Sequence, residues 1–453
     1  MVLPANAQTP SSEALVNKLV SKGVLTENEA KELLTKTTTT NQVSASKWKM
    51  SDSIKSIGLY GDVRLRYEYR GADNAPGSGA SESTYQRERF RYAVRLGLRG
   101  DLFDNFYYGL RVETSSNPRS PWVTFGDDSN PTPSAKTSDT VGIGQVYLGW
   151  RAANWLELTV GKMPMPLYVT PMIWDSDINP EGAAEKFKYS IGDVDLFATF
   201  GQFLYQDSNP DNSFPSSDTF LLAWQMGANV KLAKDVSLKI APVLYTYTGQ
   251  GQNNGLNHPF SGQGLNGLNP NTSGYNQNGI NDLLVLETPA EFNFNVGQHK
   301  ARVFGDFAYN FSGDSRARAA AAATALERGL PYAVTGQNKA YQVGVGFGNL
   351  GLVYGQTSKK NTWEARVYWQ HIEQYAADVN LLDSDFFDGR ANLEGVYAAF
   401  AYSFTDSIIG TIRYGYAQPI NHQLGTGGNN LDLPILNPIK DYNLLQLDLT
   451  WRF

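Results

Sequence analysis

The chain has 453 residues, no cysteine and a formal charge of −6. The missing cysteines exclude disulfides, thiol catalysis and Cys-ligated haem, and the acidic balance gives no reason to expect a nucleic-acid partner. Mean hydropathy is low and no run approaches the ~18 apolar residues of a membrane helix. Aromatic residues nevertheless reach 12%, so any membrane-spanning structure has to be built from strands that are oily on one face only.

Residues 1–10 contain Ala5-Asn6-Ala7 before Gln8, the small-x-small pattern that ends a secretory signal. The basic and apolar regions that should precede it are missing. The segment reads as a signal-peptide remnant or a flexible terminus. Over residues 11–46, Ala14, Leu15, Leu19 and Val20 recur at helical spacing. Thr26 and Glu29 then form a capping box ahead of Leu33 and Leu34. A Thr- and Ser-rich linker follows from Thr37 to Ser46. This is expected to be a short periplasmic helical segment. It would contact the cell wall through residues 11–37, help the chain trimerise, or form a solvated tail.

Residues 47–453 predict an all-β fold, a transmembrane antiparallel β-barrel. The strand that ends the chain places Leu445, Leu447, Leu449, Trp451 and Phe453 on one face, with Gln446, Asp448, Thr450 and Arg452 on the other. Phe220, Leu222, Trp224, Met226, Ala228, Val230 and Leu232 repeat the pattern, as do Val396, Ala398, Phe400, Tyr402 and Phe404. Trp150, Trp155, Trp363, Trp369 and Trp451 fall at or near strand ends, where amphipathic rings favour the headgroup region.

From Ile57 onward short and long connections alternate. Short turns are expected at Asp101–Asn105, Ala152–Asn154, Gly192-Asp193, Ala233–Asp235, Gly297–His299, Thr357–Asn361 and Thr405–Ser407. Long connections fall near 71–84, 117–140, 163–186, 207–218, 250–280, 312–339, 375–391 and 419–441. The alternation gives about sixteen strands, and eighteen would fit the same pattern. An even count puts both ends in the periplasm. A short helix over Ala317–Arg328 would ride on one external loop.

The wet faces of the first three strands are rich in arginine. Arg64, Arg66 and Arg70 share a face with Asp62 and Glu68. Arg87, Arg89, Arg91, Arg95 and Arg99 share the next, and Arg111 and Glu113 follow. Each guanidinium would cost ~2–4 kcal/mol on lipid at mid-depth, so all must face a lumen. There they would form a basic pore-lining wall of Arg64, Arg66, Arg87, Arg89, Arg91, Arg95 and Arg111. A salt-bridged belt completed by Asp62, Glu68, Glu88 and Glu113 is the alternative.

The connection after the fifth strand is long, Pro-rich and acidic, and proline rules out a simple hairpin there. Folded inward, it would oppose the arginines with Asp175, Asp177, Glu181 and Glu185 at a constriction. A loop that stays on the surface is the alternative.

The string GKMPMPLYVTPMIWDSDINPEG resembles the putative-porin family of Gram-negative bacteria, as do GDVRLRYEYR, VFGDFAYN, the LLDSDF segment at 381–386 and the terminal Phe453. The resemblance covers nearly the whole chain, including TENEA at 26–30. It implies a water-filled channel in the bacterial outer membrane for passive diffusion of ions and small hydrophilic solutes. Its partners would be membrane lipid and two further copies in a homotrimer. Phe453 would be the signal read by the barrel-assembly machinery. The resemblance does not name a solute.

Four other readings start from the residues themselves. Enzymatic action would have to use His258, His299, His371 or His422, and only His371, near Glu373, is placed as a base, with no nucleophile motif beside it. No enzyme activity and no cofactor are therefore expected. Asp175-Ser176-Asp177 recurs as Asp383-Ser384-Asp385 with Asp388, and such carboxylates could hold Ca²⁺. Neither run has the full twelve-position spacing of a calcium loop. Finally, the barrel could be a sheath for a partner protein, or a tether between membrane and cell wall.

Overall fold

The computed structural model describes residue 22 and residues 51–74, 84–115, 117, 119–126, 139–207, 218–248, 283–318, 336–385, 389–421 and 439–453. The chain divides into two compact units, Met1–Ile54 and Lys55–Phe453. The signal remnant over 1–10 and the helices and linker expected over 11–46 lie outside the described residues, residue 22 excepted.

The second unit is a closed antiparallel barrel of sixteen strands. In chain order these are β1 (Gly58–Asn74), β2 (Thr84–Asp101), β3 (Phe106–Thr114), β4 (Val141–Ala153), β5 (Leu156–Lys162), β6 (Glu181–Ile191), β7 (Val194–Gln206) and β8 (Thr219–Ala233). Then come β9 (Val236–Ile240 and Val243–Tyr247), β10 (Leu284–Glu287 and Ala290–Val296), β11 (His299–Asn310) and β12 (Lys339–Gly348). The last four are β13 (Thr362–Ile372), β14 (Leu393–Ser403), β15 (Ile408–Pro419) and β16 (Ile439–Arg452). Each strand pairs with its neighbours in sequence, and β1 pairs with β16 through rungs such as Leu65–Leu449. That last pairing removes both sheet edges. A two-residue piece, Val123–Thr124, pairs with β2 beyond the end of β3.

Proline explains why β9 and β10 are each interrupted once. Pro242 and Pro289 cannot donate to the ladder, and they sit side by side, because Ile240 pairs with Ala290 and Val243 with Glu287. The two gaps face each other over two skipped rungs. A backbone bond from Ala241 N to Pro289 O spans them, and one from Met226 N to Pro242 O keeps β8 joined to β9 there.

Six of the seven short connections are tight turns. The seventh differs from the expectation of a turn at Thr357–Asn361. Strand β12 ends early, at Gly348, and residues 349–361 fold into the barrel as successive turns. Gly348 has a φ of 111°, and a Cβ there would lie 2.2 Å from the Trp363 carbonyl oxygen. The chain therefore leaves the ladder, closed on itself by Gln356 N to Gly351 O at 2.8 Å, with Leu352 and Val353 buried. Residues 313–318 are helical, and the rest of the helix expected there lies outside the described residues.

The outer face is a continuous band of exposed apolar side chains, among them Leu65, Phe90, Leu148, Val160, Met226, Val303, Val345, Phe400, Leu447 and Trp451. Inside, the two halves of the wall differ. Strands β7 to β10 turn Phe203, Leu221, Ala223, Val243, Tyr245 and Val285 inward. Two long connections, residues 163–180 and the described part of 373–392, pack on that apolar half through Leu167, Met172, Ile173, Trp174, Ala376, Ala377, Leu381 and Leu382. The other half carries the arginines.

Candidate functional site: the charged lumen

The register of three strands assembles the basic side. Glu68 pairs with Arg89 of β2 and with Gln446 of β16, and it is fully buried. Its carboxylate lies 2.6 Å from Arg89, 3.1 Å from Arg70, 3.6 Å from Arg91 and 3.7 Å from Arg66. Arg66 also reaches Asp448 of β16 and Asp385 of the 373–392 connection, both at 2.7 Å. The Trp122 ring stacks on it at 4.0 Å. Lower on the wall Arg64 pairs with Asp62 at 2.5 Å and Arg111 with Glu113 at 2.9 Å, while Arg95 joins Asp177.

The seven arginines assigned to the wall thus divide. Arg64, Arg66 and Arg95 line the lumenal cavity. Arg89 and Arg91 are buried against Glu68, and Arg87 and Arg111 share the inner face outside the cavity lining. Much of the row is a salt-bridged belt.

The connection at 163–180 runs inside the barrel. Gln225 of β8 holds it through two bonds with Tyr168, of 2.7 and 2.8 Å, and Thr170 bonds Asp306 of β11. Asp177 faces the lumen and Arg95. Asp175 turns away, buried, and accepts the Ser384 N–H at 2.9 Å and the Ser384 hydroxyl at 2.8 Å. Burial, followed by the charge of Asp177, pushes the Asp175 carboxyl up to about 7.

Glu181 and Glu185 stand elsewhere than the acidic side of the constriction. The ladder resumes at the Lys162–Glu181 rung, so both residues belong to β6. Glu181 bonds Lys162 at the rim, at 2.9 Å. Glu185 shares its rung with Leu158 and Phe200 and so points outward, accepting a 3.0 Å bond from Gln202.

A second inward connection, 373–392, escaped the sequence reading. Tyr205 and Tyr247 donate to Asp378 at 2.7 and 2.8 Å, and Asn310 donates to the Tyr375 carbonyl at 2.8 Å. Burial and then the charges of Asp175 and Asp385 push the Asp383 carboxyl well above its ordinary range. Burial would raise Asp385 as well, but the neighbouring Arg66 guanidinium outweighs it and holds that carboxyl at about 2. The alternating apolar residues that anchor this connection, Ala377, Val379 and Leu381, were the available signal.

Closure of the barrel also extends the basic row. Successive rungs run Arg302, Gly346, Arg366, Ala399, Arg413, Gln446, Glu68 and Arg89 across β11 to β16 and on to β1 and β2. In the sequence Arg302, Arg366 and Arg413 are isolated residues on distant strands, and only the register shows that they continue one row.

What remains open is a cavity of about 1100 Å³ between the 163–180 connection, the inward turn 349–361 and the β1–β2–β16 wall. Eight arginines and seven Asp or Glu residues among the described residues line it, and Ser407, Arg452 and Phe453 mark its end at the short turns. Among the described residues no three His, Cys, Asp or Glu side chains are grouped to hold a metal. Asp388 lies outside the described residues, as do His258 and His422. His299 stacks near Phe347 and Trp363, and His371 lies 2.9 Å from Glu394 and against the Tyr341 ring.

A closed sixteen-stranded barrel, apolar outside, charged within and narrowed by inward-folded connections, is a porin channel. The family described as "Putative porin" matches residues 72–305 and 281–453, and the chain belongs to it. Among solved structures it is similar to a mutant of the Rh. blastica porin, with 11% identity over 88% of this chain and 100% of that one and a TM-score of 0.41. A triple mutant of the Rhodopseudomonas blastica porin gives 12% identity over the same shares and a TM-score of 0.40. Comparison with curated proteins gives no match.

Proposed function

We propose that the chain is an outer-membrane porin through which ions and small hydrophilic solutes diffuse passively, with a slight preference for anions. The carrying observation is the cavity lining, in which eight arginines face seven carboxyl groups among the described residues. One of those carboxyls, Asp383, is disfavoured as an anion. A wall with that small positive excess attracts anions without trapping them.

The apolar outer band supports a bilayer location, since in water it would be a single aggregation-prone surface. Glu185 and Gln202, at outward positions on neighbouring strands, support a homotrimer. A carboxylate is costly against lipid but tolerable against another copy of the chain. Phe453 bonds Gly61 through both its N–H and its carbonyl, at 3.1 and 3.0 Å. In our reading its ring is also the mark recognised by the assembly machinery.

A sheath for a partner protein fits less well, because two connections and a turn already occupy the lumen. The residues that would serve a cell-wall tether, 11–37, lie outside the described residues, residue 22 excepted. No catalytic role, resident cofactor or Ca²⁺ is part of the proposal.

Liposome swelling tests it. Rates should fall steeply from pentose to disaccharide and be alike for sugars that differ only in stereochemistry. Folded, inserted protein that admits no pentose would count against diffusion.

A further inference from the structure

Most charges on the cavity wall are already matched. Arg64 has Asp62, Arg66 has Asp385 and Asp448, Arg95 has Asp177, Arg302 has Glu291, and Arg413 has Asp448. Among the described residues Arg99, Arg366 and Arg452 line the cavity without an ion pair, and of these three Arg366 of β13 is the buried one. It is nine-tenths buried and lines the cavity, yet no carboxylate approaches its guanidinium within 4.0 Å among the described residues. Its Nε–H has no hydrogen-bond partner. What holds it is aromatic: its guanidinium carbon lies 3.9 Å from the Phe304 ring centre, 4.8 Å from Tyr354 and 5.9 Å from Tyr368.

Stacking of this kind uses the faces of a guanidinium and leaves its N–H edge available. The acid two residues back on the same strand, Glu364, is engaged with the Val353 N–H at 2.8 Å. Tyr354, which also lines the cavity, is carried on the inward turn, and Tyr397 completes the aromatic wall, stacked on Tyr368 at 4.7 Å. A fixed cation with unused donors, set in a wet cavity beside the partly exposed Tyr354 ring, is a recognition site for an anion with a flat apolar body.

We infer that Arg366 and Tyr354 form a binding subsite for small aromatic monocarboxylates inside the channel. The carboxylate would take the terminal N–H groups of Arg366, and the ring would lie against Tyr354. This inference rests on the diffusion reading above and adds a preferred solute class to it.

The test is a planar-bilayer recording in chloride on the whole barrel, with benzoate, acetate and benzyl alcohol added in turn from each side. Benzoate should interrupt the current at concentrations about tenfold below those needed for acetate, and benzyl alcohol should not interrupt it. Arg366→Gln should raise the half-blocking benzoate concentration about tenfold, and Arg366→Lys should restore only part of the effect, because an ammonium cannot make the bidentate pair. Should Arg366→Gln fail to form a barrel, Tyr354→Leu decides, since Tyr354 lies outside the ladder. That variant should bring benzoate down to the level of acetate.

Equal block by benzyl alcohol and benzoate would overturn the subsite. So would benzoate block unchanged in Arg366→Gln or, where that variant does not fold, in Tyr354→Leu. Chloride conductance with no benzoate block removes the subsite alone, whereas a folded barrel that conducts no chloride removes the diffusion reading beneath it.

Discussion

Glu68 holds the basic side of the lumen in place. Four guanidiniums lie within 3.7 Å of one buried carboxylate, and removing that charge would leave them desolvated beside one another. Glu68→Gln should therefore destabilise the barrel by about 3–5 kcal/mol, read as a lower midpoint of thermal unfolding in detergent. An unchanged midpoint would mean that water relaxes the cluster. Arg95 acts differently, because it faces the cavity and neutralises Asp177. Arg95→Gln should shift the reversal potential in a salt gradient toward cations, and no shift would place Arg95 off the ion path. The arginine rows were legible because a strand alternates faces with a fixed period of two. The place of Glu185 was not, because it depends on where the ladder resumes after a proline-rich stretch, and a rung begun at Glu181 turns Glu185 outward.

The connection at 163–180 is pinned to the 373–392 connection through Asp175 and Ser384, and this joint carries a pH dependence of known sign. Released into water, Asp175 would return to its ordinary value near 3.8, whereas in the joint it is raised to about 7. The docked arrangement thus binds more protons, is most favoured below about pH 4, and loses that advantage as pH rises through about 7. Asp385 runs the other way. Held at about 2, it supports the joint above its ordinary value and fails only as pH falls toward 2. Current through the channel should accordingly grow noisier as pH rises from 5 to 8, and Asp175→Asn should flatten the profile. A wild-type profile already flat would show that Asp175 does not control the connection. At this scale the sequence resolved long and short connections well, because Gly, Asn and Asp mark turns. It missed the inward turn after Gly348, whose Leu352 and Val353 continue the apolar pattern of a strand.

Barrel closure joins residues from opposite ends of the chain. The rungs between β1 and β16 bring Arg66 to Asp448, 382 positions away, and no local pattern could have shown that contact or the row through Arg302, Arg366 and Arg413. The alternation itself, by contrast, fixed the class of fold and an even strand count from the sequence. Assembly belongs to this scale too. If the outward Glu185 meets a neighbouring copy, Glu185→Leu should lower the temperature at which trimers separate, measured by mass in detergent. A more stable assembly would mean that the residue faces lipid.

The central claim is an open, weakly anion-preferring channel, and single-channel recording with reversal potential under a salt gradient tests it most directly. Stable steps grouped in threes, with a reversal potential of the sign set by faster anions, are the predicted result. A folded barrel that stays silent, or one that clearly prefers cations, would contradict it.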